Sequence, residues 1–500
     1  MTKTSLTQNE LFANLISKLR AFFEGNIYPA AIAAVVLIGH LTALEFYSFI
    51  LVILAACIAF FVSDSVKPFI PTLLLFLYLV SYKHTPGYPS WSDYYSQTYV
   101  VVTAVIMFSL LFISAVYYMA RRVVPKMHPK KTPLLLALTL LSAAFLMNGA
   151  FTKSWTPLNL LLGLAEAAVF FILFYLFYYG LEGENVNRLI DYLCYVALLS
   201  AIIIIVEMAA MFISVDGIIS DGRILKENIS LGWGISNPIG NALVILIPLL
   251  MLGAVKCKWA PVYLVTALLT CACTVLTLSR NAIIICVLIF TASFITVYIM
   301  SDSRKLLCSV LGGGVGIALV AALIFSGRIG ELLQHFSLSG SDDSGRFRLW
   351  GIAFDNFLSA PIFGRGFFDF RNDAIGTDMV NFIPTMAHNT VLQLMSSMGI
   401  FGLGTYVYYR VKSTLPFFKR ISREKLMLFY SVAALILGSL LDNFIFYFHG
   451  PFLYVVVLAL VFRMNDYEEE WIRCHADDDD EYESEDEDED DSDGDDDYYI

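Results

Sequence analysis

The sequence predicts an all-α, polytopic transmembrane helix bundle of about 12–14 spans with a large, partly helical extracytoplasmic loop. Of the 500 residues, 58% are hydrophobic and only 15% are charged, whereas soluble domains carry about 25% charged residues. Apolar runs recur along nearly the whole chain, and about 20 helical residues cross a hydrocarbon core of about 30 Å. A soluble fold could not cover so many apolar helices, so we expect an integral membrane protein.

Apolar runs define the order of the spans. They are approximately 27–46, 47–63, 68–82, 98–119, 132–150, 157–180, 190–214, 236–255, 259–278, 281–300, 306–325, 388–409, 426–444 and 451–464. Some runs are short and the first two are almost continuous, which leaves the count open by about two to four spans. The first run is too long for the apolar part of a signal peptide, so it is predicted to stay in place as a start-transfer helix.

Charge separates a mildly basic body from an intensely acidic end. Residues 466–500 carry 21 of the 44 acidic residues and one basic residue, which leaves 31 Lys and Arg against 23 Asp and Glu in the rest. Such an acidic, low-complexity run cannot bury a core. We therefore expect residues 466–500 to form a disordered cytoplasmic tail, either as a solvated appendage or as a site for a basic partner.

The distribution of Lys and Arg predicts the orientation. With residues 1–26 as a cytoplasmic N-terminal segment, 22 of the 32 Lys and Arg fall on the cytoplasmic side, as the positive-inside rule requires. The bundle then comprises residues 27–465 and lies in the cell inner (cytoplasmic) membrane, with both termini in the cytoplasm. The longest connection, 326–387, becomes an extracytoplasmic loop.

Arginine is enriched on the predicted outer face. Seven of the ten outer cations are Arg, and five of these lie in loop 326–387. Arg makes planar, bidentate contacts to phosphate and carboxylate that Lys cannot imitate. The pattern indicates either anion binding or pairing with the loop's own carboxylates, such as Asp342 and Asp343.

The loop carries its own helix pattern. Apolar residues at Leu349/Trp350, Ala353/Phe354 and Phe357/Leu358 follow helical spacing. Ser344 is a candidate N-cap and Pro361 a candidate stop. The following Phe363–Phe368 stretch predicts a glycine-flexed turn that presents Arg365.

Three further positions on the predicted outer face carry polar chemistry. His388 stands at the start of a span, where the helix dipole favours a neutral imidazole that can accept a proton. Arg280 lies in a short turn beside hydrocarbon, where a charge is usually paired or functional. Arg223 precedes the glycine-rich stretch 231–242, whose backbone could approach a ligand. The alternatives are that His388 is an incidental surface histidine and that stretch 231–242 is an ordinary loop.

Together these residues resemble the O-antigen ligase/polymerase family of bacterial membrane glycan-assembly proteins. The matching elements, in chain order, are Gly222-Arg223, Ser236-Asn237-Pro238, Asn241-Ala242, Ser279-Arg280-Asn281-Ala282, Ser344-Gly345-Arg346 with Trp350, Pro361–Gly366, Ala387-His388-Asn389 and Met398–Gly402. Each motif alone is weak, and their order, spacing and common face make the combination specific. The family-like region is 190–410.

The resemblance implies a C-type-like, inverting membrane glycosyltransferase without metal or other cofactor. Its donor would be a glycan on a polyprenyl (undecaprenyl) diphosphate, and its acceptor a glycan, lipid or protein outside the cytoplasm. The resemblance assigns His388 and Arg280 to catalysis, and Arg223, Arg280 and Arg346 to the diphosphate. Arg365 and Asn389 are further candidates. No metal ligand and no nucleic-acid partner is expected.

Two alternatives stay open. A polymerase that extends carrier-linked chains and a ligase that moves finished glycan to another acceptor share these motifs. A transporter or flippase for lipid-linked glycan is the alternative from a different functional class. It is considered because Glu166 and Glu207 lie within predicted spans, and intramembrane carboxylates often mark transport paths. Neither carboxylate has an evident basic partner in the sequence.

Overall fold

The computed structural model of this chain is a bundle of α-helices. It describes residues 8–80, 97–128, 132–153, 155–214, 219–220, 223–224, 226–300, 304, 308, 312, 314, 346–368, 387–446 and 449–486. The helices are α1 (Gln8–Glu24), α2 (Ile27–Leu41), α3 (Glu45–Val62), α4 (Phe69–Val80), α5 (Thr98–Tyr118), α6 (Leu135–Leu146), α7 (Pro157–Ala167), α8 (Leu173–Gly180), α9 (Val186–Ser214), α10 (Ser236–Lys256), α11 (Ala260–Leu276), α12 (Arg280–Met300), α13 (Arg346–Ser359), α14 (Thr390–Thr414), α15 (Arg423–Leu441) and α16 (His449–Asp486). A five-residue π-helical turn joins α7 to α8.

Each predicted span except 306–325 coincides with one of these helices or, for 157–180, with the α7–α8 pair; 306–325 lies outside the described residues apart from three isolated positions. Within the described part of the chain, eight helices are long and apolar enough to cross a membrane. A bent pair, Phe12–Glu24 with Ile27–Leu41 at 68°, would make nine. The all-α polytopic bundle is confirmed, and the number of spans stays a prediction.

One boundary differs from the predicted spans for a local reason. Span 27–46 was expected to run on to residue 46, but α2 ends at Leu41. Ala43 takes a φ of +57°, a left-handed conformation that a helix cannot continue through. The chain therefore turns, and α3 starts at Glu45.

Helix α10 forms the centre of the bundle. In its apolar window 94% of the residues are buried inside the protein, whereas the corresponding value for the peripheral α5 is 11%. Gly253 allows this packing, because a Cβ there would lie 2.5 Å from a carbon of the Tyr263 ring on α11. The exposed Val and Ile side chains of α5 need no protein partner, since lipid is as apolar as they are.

Ion pairs cluster at one end of the bundle, which we call the ion-paired end. Among the described residues they are Arg20–Asp64, Arg122–Asp64, Lys126–Glu182, Lys256–Glu424, Arg423–Glu424, Lys419–Glu469, Lys425–Glu468 and Arg463–Asp466. The side chain of Lys425 is fully buried and donates to Glu468 at 2.7 Å. This end is formed by the ends of α3, α10 and α14 and by the start of α15.

Helix α16 runs past residue 466 into the acidic end of the chain and continues to Asp486. The disordered cytoplasmic tail expected for residues 466–500 stays a prediction. The helix is already nucleated by its buried apolar part, and each further residue then adds a hydrogen bond without a new nucleation cost. Glu468 and Glu469 fix the first turns beyond the bundle through Lys425 and Lys419. Residues 487–500 lie outside the described part.

Candidate functional site

Four helix termini meet at the opposite end, which we call the His388 end. A Cβ on Gly240 of α10 would lie 2.7 Å from Cβ of Ala282 on α12, so these helices touch near their starts. Asn281 Nδ2 donates to the carbonyl of Gly438 on α15 at 3.3 Å. Asn389 Nδ2, at the start of α14, donates to the carbonyl of Leu440 at 2.9 Å. The starts of α10, α12 and α14 therefore converge on the C-terminal end of α15.

His388 lies in a left-handed turn directly before α14, with a φ of +50°. This conformation costs a non-glycine residue about 1–2 kcal/mol and persists only where the surroundings enforce it. The preceding Ala387 is fully buried, and side chains hold both of its backbone polar groups. Its N–H donates to Gln393 Oε1 at 2.8 Å, and its carbonyl accepts from Trp350 Nε1 at 2.9 Å.

The imidazole of His388 is paired with a carboxylate that sequence reasoning missed. Nδ1 of His388 lies 3.0 Å from Oδ1 of Asp442; the imidazole is 38% exposed and the carboxylate 3%. The same Oδ1 accepts from the backbone N–H of Asn443 at 2.8 Å. A carboxylate at this distance favours the tautomer with its proton on Nδ1, which leaves Nε2 free to accept a proton.

A signal for Asp442 was present in the sequence. The residue falls inside the predicted span 426–444, and a carboxylate within a span is a candidate functional group by default. Only Glu166 and Glu207 were singled out on that ground. The structure ends α15 at Leu441, so Asp442 stands at the helix end, where its carboxylate can reach His388.

Arg280 is the first residue of α12 and is exposed. Leu278, with a φ of +53°, turns the chain from α11 into α12. Its neighbour Asn281 contacts Gly438, one helical turn before Asp442. Arg280 and the His388–Asp442 pair thus lie at the same end of α15.

Helix α13 confirms the amphipathic helix predicted in the loop and begins at Arg346. Residues four apart share a helix face, so Arg346 lies on the face that holds Trp350 against Ala387. The loop carboxylates Asp342 and Asp343, weighed as partners of Arg346, lie outside the described residues.

Arg365 is more enclosed than the sequence suggested. The predicted turn is present, with Gly364 at a φ of +68° and Gly366 at +96°. The guanidinium, however, donates to Oδ1 of the buried Asn356 on α13 at 3.1 Å. This bond ties Arg365 to the protein interior.

The turn that carries Arg365 is inserted into a break in α14. At Gly399 the helix takes φ +66° and ψ −162°. Arg365 N–H donates to the Ser396 carbonyl at 2.8 Å, and Ile400 N–H donates to the Pro361 carbonyl at 2.8 Å. The groups released by the break are thus satisfied by buried protein, as irregular backbone at membrane depth requires. Two of the motifs, Pro361–Gly366 and Met398–Gly402, meet here.

The carboxamide of Asn389 is engaged at both ends. Its oxygen accepts from Leu392 N–H at 3.0 Å and caps α14, while its amide donates to Leu440. Asn389 therefore fastens α14 to α15 beside His388.

Arg223 lies in the connection between α9 and α10. Two short hairpins form it, β1 (Ile219–Ser220) with β2 (Arg223–Ile224), and β3 (Ser230–Leu231) with β4 (Gly234–Ile235). Trp233 fixes the second hairpin by donating from Nε1 to the Leu74 carbonyl at 3.2 Å. The side chain of Arg223 is outside the described part, so its relation to His388 stays a prediction.

The two intramembrane glutamates have different surroundings. The sequence indicated no basic partner for Glu207, but the structure gives it a basic neighbour, since His40 Nδ1 lies 3.5 Å from its Oε1. In addition, Tyr78 donates to Oε2 of Glu207 at 2.6 Å. Glu166 is fully buried, and its carboxyl oxygens have no hydrogen-bond partner among the described residues.

Residues 265–407 match the family model described as O-antigen ligase, which confirms the resemblance seen in the motifs. The match includes Arg280, Arg346, Arg365, His388 and Asn389. It is narrower than the predicted 190–410 and contains neither Arg223 nor Asp442. A comparison with curated proteins gave no match.

Eight described helices are long and apolar enough to cross a membrane, and residues 265–407 are similar to the O-antigen ligase family. Together they support a multi-pass membrane protein with a glycan-transfer function in general.

Proposed function

We propose that this protein transfers a glycan from a polyprenyl diphosphate carrier to an acceptor hydroxyl on the extracytoplasmic face of the inner membrane. The observation that carries the proposal is the His388–Asp442 pair, 3.0 Å apart, at the end of α15 that also holds the start of α12 with Arg280. A proton acceptor and an exposed arginine at one end of the bundle are the two groups that the transfer requires.

The chemistry follows from where charge develops. As the anomeric carbon–oxygen bond to the carrier breaks, negative charge accumulates on the diphosphate leaving group. Arg280, with Arg223 and Arg346, stabilises that charge by charge-assisted hydrogen bonds. These three arginines take the place that a divalent cation would otherwise fill.

The acceptor hydroxyl attacks the anomeric carbon from the face opposite the leaving group, so the configuration inverts. Its proton passes to Nε2 of His388 as the new carbon–oxygen bond forms. Asp442 holds the imidazole in the accepting tautomer and stabilises the imidazolium once it forms. The proton is later released to solvent, for which the half-exposed ring is suited.

The orientation is part of the proposal. Lys and Arg are concentrated at the ion-paired end, for example Arg20, Arg122 and Lys425. The positive-inside rule therefore favours that end as cytoplasmic. The His388 end is then extracytoplasmic, and both termini are cytoplasmic.

The test is mass spectrometry of polyprenyl-linked and surface glycans in a deletion strain. The strain is complemented with wild type, His388→Ala, Asp442→Asn or the control His128→Ala, which changes an exposed histidine outside the His388 end. We expect the first two variants to fail like the deletion although they reach the membrane, and the control to behave as wild type. Long carrier-linked chains in the failing strains indicate a ligase, and single repeat units indicate a polymerase.

A transporter for lipid-linked glycan is the second candidate, favoured by the buried Glu207 with His40 and Tyr78. A transporter should tolerate His388→Ala and fail with Glu207→Gln, leaving the carrier-linked glycan on the cytoplasmic side. A transferase should lose activity with His388→Ala, and the carrier-linked glycan should still reach the outer side of the membrane.

A further inference from the structure

We infer that Gln393 is the positioning residue for the His388–Asp442 pair, an assignment that rests on the proposed transfer function. Gln393 lies in the first turn of α14, and only 1% of its surface is exposed. Neither the motifs nor the proposed chemistry gives it a role.

A single oxygen of Gln393 joins the two chain segments that carry the pair. Oε1 accepts from the N–H of Ala387, the residue before His388, at 2.8 Å. The same Oε1 accepts from Nδ2 of Asn443, the residue after Asp442, at 3.2 Å. The start of α14 and the end of α15 are thus tied together one residue away from each member of the pair.

The orientation of the carboxamide follows from its partners. The backbone N–H of Ala387 can only donate, so the atom facing it must be the oxygen. Nε2 then faces Ser397 and donates to its Oγ at 2.9 Å. Ser397 therefore only accepts the bond from the amide nitrogen, while the oxygen makes the contacts that reach the pair.

The distance between His388 and Asp442 depends on this oxygen for a geometric reason. His388 is in a left-handed conformation, and the residue before it, Ala387, is held at its carbonyl by Trp350 and at its N–H by Gln393. Without Oε1, Ala387 N–H and Asn443 Nδ2 lose their shared acceptor, and the two segments can move independently. The imidazole would then leave the carboxylate and lose its preferred tautomer.

The test compares Gln393→Met, which keeps the length of the side chain and removes the acceptor, with Ser397→Ala, which removes only the bond from Nε2. The donor is carrier-linked glycan extracted from the deletion strain, and purified full-length protein is assayed for release of polyprenyl diphosphate across pH. We expect Gln393→Met to lower kcat about 10–100-fold with little change in KM, since small misplacements of reacting groups have effects of this size. Its pH–rate profile should also shift, and Ser397→Ala should keep the wild-type profile.

A second readout does not depend on activity. Nitrogen NMR of histidine-labelled protein reports which ring nitrogen carries the proton, and the signal of His388 is identified by its loss in His388→Ala. We expect Nδ1–H in wild type and Ser397→Ala, and a mixture of tautomers in Gln393→Met. Should Gln393→Met fail to fold, Gln393→Asn retains the carboxamide but is one methylene too short to reach both partners, and the same loss is expected.

An unchanged tautomer and pH profile in a folded Gln393 variant would overturn the assignment. If wild type releases no polyprenyl diphosphate, the proposed function fails instead, and the nitrogen spectra still decide whether Gln393 positions His388.

Discussion

His388 and Asp442 are 54 residues apart in the chain, yet Nδ1 of the one lies 3.0 Å from Oδ1 of the other. The pair joins the start of α14 to the end of α15. The carboxylate is buried while the imidazole is partly exposed, so the pair has a fixed inner member and an outer member that acceptor and solvent can reach. This arrangement is suited to proton transfer at the rim of the bundle, and it makes the role of Asp442 testable.

Asp442→Asn should lower kcat by about 10²–10⁴, the range for loss of an acid–base group or of the carboxylate that orients it. The amide keeps the shape of the side chain, so KM and thermal stability should change little. The rate of polyprenyl diphosphate release measures the effect. A variant with the wild-type rate would show that the carboxylate does not assist His388.

Arg280→Lys should lose about 10–100-fold in kcat although it keeps the charge. The ammonium of lysine cannot make the planar, bidentate contact that a guanidinium makes with phosphate oxygens. Arg348→Lys is the matched control, because Arg348 is exposed on α13 and has no part in the proposed site. Equal rates for the two variants would exclude a bidentate role for Arg280.

Much of the fold was predictable from sequence, because apolar runs of span length have one stable solution in a bilayer. Helix α13 was predictable as well, since its apolar residues recur at helical spacing. Arg280, Arg346 and His388 were recognisable from residue type and motif order.

The contacts that complete the site could not be read in the same way. Asp442 was hidden inside an apolar run, and its partner His388 comes from another helix. Gln393 has no distinguishing neighbour in the sequence, and the break at Gly399 is visible only once the Pro361–Gly366 turn is seated in it. Contacts between distant segments depend on packing, which local patterns do not encode.

Gly399→Ala should destabilise the protein by about 2–4 kcal/mol. Its φ of +66° is unfavourable for alanine, and a Cβ there would lie 2.7 Å from the backbone nitrogen of Phe363. Gly404→Ala, in the same helix, is the control: apart from its chain neighbours and its own helix backbone, no atom lies within 4 Å of its Cβ position, so alanine should be neutral or stabilising. Thermal unfolding in detergent compares them. Equal melting temperatures would contradict the break at Gly399.

Glu468→Ala should destabilise the ion-paired end by about 1–3 kcal/mol, because it leaves the buried ammonium of Lys425 with backbone carbonyls alone. Glu470→Ala, an exposed change two residues further on, should have no effect. Thermal unfolding distinguishes the two. A loss of stability in both variants would indicate that general acidity, rather than the Lys425 contact, stabilises this end.

Removal of residues 487–500 should leave transfer unchanged, because among the side chains that the structure describes the ion pairs of α16 involve residues no later than Glu469. The comparison is the surface-glycan profile of the truncated and full-length chains. A truncated protein that inserts normally but makes no glycan would assign the acidic end a direct role in transfer.

The central claim is that His388 accepts the acceptor's proton as the glycan leaves its carrier. The most direct test is release of polyprenyl diphosphate by purified wild type and His388→Ala, with carrier-linked glycan from the deletion strain as donor. We predict that wild type releases the carrier as the acceptor is glycosylated, and that His388→Ala is at least about 10²-fold slower with its fold intact. Release at the wild-type rate by His388→Ala would contradict the account.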